Sequence, residues 1–260
     1  MTNTPDRIKI YTRSMNGVLY RKAMSLCRLP YPKVRLLHTT ADGYLRQLLA
    51  DSSTDWVINI DEDAFVCDMQ ALKKLIAYCI DNGYDNCGMP DGGVVHLRDG
   101  NPLVTNPYFN IMHTATLRRH IDPMQPAEPP DPSRFDKPEL LVGAYDFHAT
   151  NVEPYYPLFI LMANRCRTLW LTATSHHDGE STVLCNHLGE PFLIHTWYSR
   201  FYNRDQFHSR RIDRAFKEAC NGQGVAYRSP LLDAVVCSTL RAKSLFVQSL
   251  VKVKRKIVNR

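Results

Sequence analysis

The stretch Trp56-Val57-Ile58-Asn59-Ile60-Asp61-Glu62-Asp63-Ala64-Phe65-Val66 runs a hydrocarbon strand directly into three consecutive acids. Its β-branched and aromatic start predicts a buried strand over 56–60. A carboxylate leaving such a strand must be solvated, paired or bound to a cation, because burial alone costs several kcal/mol or drives the group neutral. In an extended chain Asp61 and Asp63 project to one side and Glu62 to the other. The two aspartates can then share one hard divalent ion, Mn2+ or Mg2+, through oxygen ligands. The same acids would also suit a plain turn ahead of a helix, where Asp and Glu favour the positive end of the macrodipole. The pattern does predict a helix over 69–80, with Leu72, Leu75, Ile76, Cys79 and Ile80 at helical spacing and Asp68 as N-cap.

Strand and helix signals alternate around this stretch. Residues 8–12 and 34–38 read as strands and 44–50 as a helix, so the first half predicts an α/β fold with a mostly parallel sheet and helices on both faces. Ligands in such sheets bind at the carboxyl ends of the strands, where Thr12, Arg13 and the acids emerge. Farther on, 88–106 is turn-rich, and 107–118 holds the apolar segment Tyr108 to Met112 with Asn110 inside it. Six prolines between 123 and 138 predict a loop or flap. Residues 153–165 read as a helix opened by Glu153 and Pro154, followed by a strand at 168–172. His176-His177-Asp178 precede a turn at Gly179, and adjacent histidines could share a cation only in a turn conformation. A last strand, Phe192 to Trp197, carries His195 near its end.

Composition bounds the function. A chain of 260 residues, 44% hydrophobic and 22% charged, can bury a full core. Eight cysteines without a C-x-x-C pair, after a polar start with no leader signal, predict free thiols in the cytoplasm. No run reaches the roughly 18 to 20 apolar residues of a membrane span. The formal charge of +6 is concentrated late: from Arg241 to Arg260 there are seven cations and no acid. Residues 240–260 therefore read either as a basic amphipathic helix for an anionic membrane surface, on the inner face of the plasma membrane, or as a helix packed on the domain. Nucleic acid is a poorer fit, since the basic patch is short and the tyrosines lie elsewhere.

The order of a first strand ending near Thr12, an arginine-bearing helix over 43–50, a hydrophobic strand and Asp61-Glu62-Asp63 resembles the GT-A glycosyltransferases, whose D-x-D motif these acids match. The resemblance spans roughly residues 8–200. It implies a Rossmann-like GT-A domain over 1–237, with a nucleotide-binding half at about 1–105 and an acceptor half at about 106–237, followed by the basic tail at 238–260. It also implies transfer of a sugar from a nucleotide diphosphate sugar, UDP-sugar favoured, to a glycan or lipid-linked acceptor in bacterial surface-polysaccharide synthesis.

Carried residue by residue, the resemblance makes Asp61, Asp63 and His195 the ligands of Mn2+ or Mg2+, with Asp61 also near the donor. Thr12, Arg13 and Arg46 would line the base and phosphates, and Asn110 would face the donor sugar. Glu153 is the first choice of general base and Asp146 the second. No Glu-Asp pair precedes the helix at 153, so the stereochemistry stays open. Two rivals share the acids: a haloacid-dehalogenase-type phosphohydrolase, which places its Asp-x-Asp on the opening strand, and a non-catalytic membrane-surface scaffold.

Overall fold

In the computed structural model, which describes residues 7–40, 42–91, 94, 100–122, 129, 131–134, 153–231, 233, 235 and 237–239, every residue of the strand Trp56–Ile60 is buried. That burial follows from its place inside a sheet. In chain order the strands are β1 (Ile8–Arg13), β2 (Lys33–Leu36), β3 (Trp56–Ile60), β4 (Ala64–Val66), β5 (Asn86–Gly88), β6 (Phe109–Met112), β7 (Thr168–Trp170), β8 (Ala173–Ser175), β9 (Thr182–Cys185) and β10 (Pro191–His195). The helices are α1 (Gly17–Leu26), α2 (Gly43–Ala50), α3 (Met69–Asp81), α4 (Thr114–His120), α5 (Tyr156–Arg165) and α6 (Gln206–Gly222). Six strands form a mostly parallel sheet in the order β2-β1-β3-β6-β5-β7, in which β6 alone runs against the others. A second, antiparallel sheet has the order β4-β10-β9-β8. The architecture is mixed α/β and Rossmann-like.

Alternation along β1 and β3 sorts the core into two clusters, one per face. Ile10, Trp56, Ile58 and Ile60 pack with Leu19 and Ala23 of α1 and Leu72, Leu75 and Ile76 of α3. Tyr11 and Val57 pack with Leu45, Leu48 and Leu49 of α2, Leu117 of α4 and Phe159 and Met162 of α5. The first cluster continues through Phe65, Leu193 and Ile194 of the second sheet to Ile212, Ala215, Phe216 and Ala219 of α6, so the two sheets share one core. Asp68 caps α3 as its sequence position implies, its carboxylate accepting from the Gln70 and Ala71 amides at 2.7 and 3.0 Å.

The structure departs from the sequence expectation in several places. The apolar segment after Pro107 is split between β6 and α4, and β6 is antiparallel to its neighbours. Helix α5 begins at Tyr156, not Glu153, so the proline of its first turn is Pro157. Of the proline-rich segment, residues 129 and 131–134 are described, with a single 3-10 turn at Pro132–Arg134. The basic tail 240–260 and Asp146 lie outside the described residues. Among the described residues no helix is long and apolar enough to cross a membrane. All eight cysteines are free.

Candidate metal centre

β3 ends at Ile60 and β4 begins at Ala64, so the three acids form the connection between the two sheets. The connection is a tight turn rather than an extended strand: the Asp61 amide donates to the Tyr108 carbonyl at 2.8 Å, and the Ala64 amide donates back to the Asp61 carbonyl at 3.2 Å. Asp61 and Asp63 still converge, but through the turn and not through strand alternation. Glu62 turns inward. It is buried and accepts from Ser14 Oγ and the Asn16 amide, each at 2.7 Å, and Arg35 Nε donates to the same serine at 3.0 Å.

The second sheet brings the histidine. β10 pairs antiparallel with β4 so that His195 lies opposite Ala64, and Thr196 donates both its amide and its hydroxyl to the Asp63 carbonyl at 3.0 Å. This register sets His195 Nε2 at 3.4 Å from Asp63 Oδ1. Tyr108 stacks on the imidazole with centroids 4.0 Å apart and planes within 15°, and Trp197 lies against it at 4.2 Å. Trp197 is itself tethered by its indole N–H to Thr182 Oγ1 at 3.0 Å. Directly after His195 and Thr196, Trp197 and Tyr198 both adopt the left-handed region, with φ of 56° and 58°. Such conformations cost about 1–3 kcal/mol each outside glycine and persist where the surroundings over-determine them.

The electrostatics are those of a site short of positive charge. Burial pushes the Asp61 carboxyl up to about 7; Arg13 opposes the rise, and Asp63 and Glu62 add to it. Burial likewise lifts Glu62 to about 7 against its hydrogen bonds from Ser14 and Asn16. Burial works on Asp63 too, but the charge and hydrogen bond of His195 hold that carboxyl below its ordinary range. The Arg13 guanidinium lies 5.5 Å over the Tyr44 ring, with Asp61 the strongest of the acids acting on it.

The residues present fit a divalent cation. Ligand atoms of Asp61, Asp63 and His195 all lie within 4.8 Å of one another, and Asp61 Oδ1 is buried with no hydrogen-bond partner among the described residues. A buried acceptor left unmade costs about 1–3 kcal/mol, and a cation would satisfy it. Two carboxylates suit Mn2+ or Mg2+, and the imidazole favours the softer Mn2+ of that pair.

Other expected contributors are placed differently. Thr12 is fully buried on the α1 face, its hydroxyl 3.9 Å from Met24 Sδ, and so it does not line an open wall. Asn110 is also fully buried, donating to Thr105 Oγ1 at 3.0 Å beside its cross-strand neighbour Asn59. Arg46 is half-exposed on α2, 3.9 Å from Asp42. Glu153 stands three residues ahead of α5, where its carbonyl accepts the Tyr156 amide at 2.9 Å, and it is not part of the ligand cluster. Arg13 does reach the acids. Glu62, Tyr108 and Trp197 escaped the sequence reading. Glu62 was aimed away by strand alternation, whereas the aromatics flanking Asn110 and His195 were a signal that a buried polar group needed walls.

Without a cation the acids make stability pH-dependent. Asp61 and Glu62 titrate near 7 when folded, against ordinary values of 3.8 and 4.5. The folded chain therefore holds more protons than the unfolded chain between about pH 4 and 7, so stability falls as pH rises through that window and levels above it. Each pH unit of the window is worth about 1.4 kcal/mol per group at most. In EDTA, the urea midpoint is expected to be higher at pH 5 than at pH 8, and Asp61→Asn is expected to flatten the trend. A midpoint that rises toward pH 8 would contradict this charge balance.

No family model matches the chain, and no curated protein matches it. Among solved structures it is similar to one titled "Crystal Structure of A197 from STIV", at 16% identity and a TM-score of 0.40, over 72% of this chain and 93% of that one.

Proposed function

We propose that the chain is a metal-dependent glycosyltransferase of the GT-A type, moving a sugar from a nucleotide diphosphate sugar, UDP-sugar favoured, to an acceptor hydroxyl. The observation that supports this best is the convergence of Asp61, Asp63 and His195 at the carboxyl end of β3, with Arg13 beside them. A bound Mn2+ or Mg2+ would supply a Lewis acid for the negative charge that grows on the departing diphosphate. Asp63, kept ionised by His195, is the principal anionic ligand, and His195 is held in place by Tyr108 and Trp197. Arg13, the cation that acts on Asp61, would offer a positive charge to the phosphates. Glu62 acts through structure, tying the acidic turn to the start of α1 by way of Ser14 and Asn16.

For an inverting reaction, Glu153 remains the first choice of base and Asp146 the second. A glycan or lipid-linked acceptor in surface-polysaccharide synthesis, cytoplasmic residence and a peripheral contact of 240–260 with anionic lipid belong to the same proposal.

The test is a thermal-shift panel of UDP, GDP, CDP and ADP, each with Mn2+ and with EDTA. A ligand that binds only the folded chain stabilises it by about 2.7 kcal/mol at a hundredfold excess over Kd. One nucleotide is expected to raise Tm with Mn2+ and not with EDTA. No response to any of the four would turn attention to the phosphohydrolase or the scaffold.

A further inference from the structure

The turn between β8 and β9 holds a second constellation, independent of the acidic centre and of the proposed reaction. His176 is buried and His177 exposed, and their rings lie 3.9 Å apart. Both turn a nitrogen to one carboxylate oxygen from α6: His176 Nε2 is 3.2 Å and His177 Nε2 3.7 Å from Glu218 Oε2. Ligand atoms about 2.0–2.1 Å from a tetrahedral zinc stand about 3.3 Å from one another. The observed separations bracket that value, and the three ligand atoms all fall within 4.8 Å.

The outer contacts agree. His176 Nδ1 accepts the Asp178 amide at 3.3 Å and lies 3.3 Å from Asp178 Oδ1, contacts that orient the ring with Nε2 toward Glu218. Asp178 is itself held by Ser181, whose amide and hydroxyl each donate at 2.7 Å, and by Arg211 Nη1 at 3.5 Å. The buried Arg211 also donates to Ser181 Oγ at 2.6 Å, and the adjacent His208 faces Glu180 at 3.6 Å. Residues 208, 211 and 218 thus form one stripe of α6 that grips the 176–181 turn.

We propose that His176, His177 and Glu218 bind a borderline divalent transition ion of the zinc class, with Asp178 supporting His176. Two imidazoles and one carboxylate favour Zn2+, Co2+ or Ni2+ over the Mn2+ or Mg2+ suited to Asp61 and Asp63. The ion would fasten the β8–β9 turn to α6 and leave a fourth position for water.

The test titrates the chelator-stripped full chain with Co2+, read by its visible absorption, and then displaces it with Zn2+. Intense four-coordinate Co2+ bands are expected for the wild type and equally for Asp63→Asn, which separates this cluster from the acidic centre. His177→Ala removes an exposed side chain and should leave the fold intact; it is expected to weaken Co2+ and Zn2+ binding at least tenfold and to abolish any rise in Tm with Zn2+. Glu218→Gln should weaken binding in the same direction. Absence of four-coordinate bands, affinity unchanged by His177→Ala and Glu218→Gln, or loss of the signal through Asp63→Asn alone would overturn the assignment.

Discussion

Replacing Asp63 by Asn is expected to weaken Mn2+-dependent binding of the preferred nucleoside diphosphate at least a hundredfold, or about 2.7 kcal/mol. The substitution keeps the shape of the side chain and removes its charge. Of the three acids in the turn, Asp63 alone is held below its ordinary carboxylate range, by His195, so it carries the most dependable negative charge for a cation. Asp61 and Glu62, both pushed up to about 7 by burial, carry less negative charge than Asp63 before a cation binds. The turn itself should survive, because the Asp63 carbonyl keeps its two bonds from Thr196 and the Asn amide oxygen can still accept from the backbone amides that the carboxylate meets. Calorimetry of UDP binding with Mn2+, beside circular dichroism of the variant, checks both halves. Unchanged affinity in a folded Asp63→Asn chain would sink the ligand assignment.

The largest stability effect is expected at Phe65. This side chain is fully buried on β4, meets Phe216 of α6 edge-on at 5.3 Å, and sits opposite Ile194 of β10. Phe65→Ala should cost about 3–5 kcal/mol, since a ring is lost from a position where sheet and helix are both fixed. The urea midpoint should drop with little change in slope. Phe65 lies two positions after Asp63, and the β4–β10 register places His195, so the folded fraction that remains should also bind Mn2+ and nucleotide less tightly. A loss below about 1 kcal/mol would mean that the second sheet and α6 are not packed through this residue.

The first half of the fold was legible because its signals are local. The β-prone, mostly apolar run 56–60, the helical spacing of 69–80 and the Asp68 cap each lie within one turn or strand of their cause. His195 could be picked out as a polar group at the end of an apolar strand, but only the resemblance paired it with Asp63, since the β4–β10 register joins residues far apart in the chain. The acids were misread in shape for a related reason. Alternation holds only while the strand lasts, and the strand stops at Ile60, where the chain leaves one sheet for the other. Thr12 was a miss that parity could have prevented: it shares the face of Ile10, toward α1, whereas Arg13 shares the face of Tyr11. Asn110 is buried because its register sets it beside Asn59, which periodicity alone does not reveal. Helix α6 went unread because most of its residues are polar; its inward face mixes the apolar Ile212, Ala215, Phe216, Ala219 and Cys220 with the buried Ser209 and Arg211.

The most direct test of the metal centre is Mn2+ electron paramagnetic resonance, made in a His177→Ala background so that the β8–β9 turn contributes nothing. Addition of UDP, GDP, CDP or ADP in turn is expected to immobilise about one Mn2+ per chain with a single preferred nucleotide, and Asp63→Asn should return that ion to the free signal. If no nucleotide leads the chain to retain Mn2+, or if Asp63→Asn retains it equally well, the convergence of Asp61, Asp63 and His195 is not a cation site for a nucleotide diphosphate.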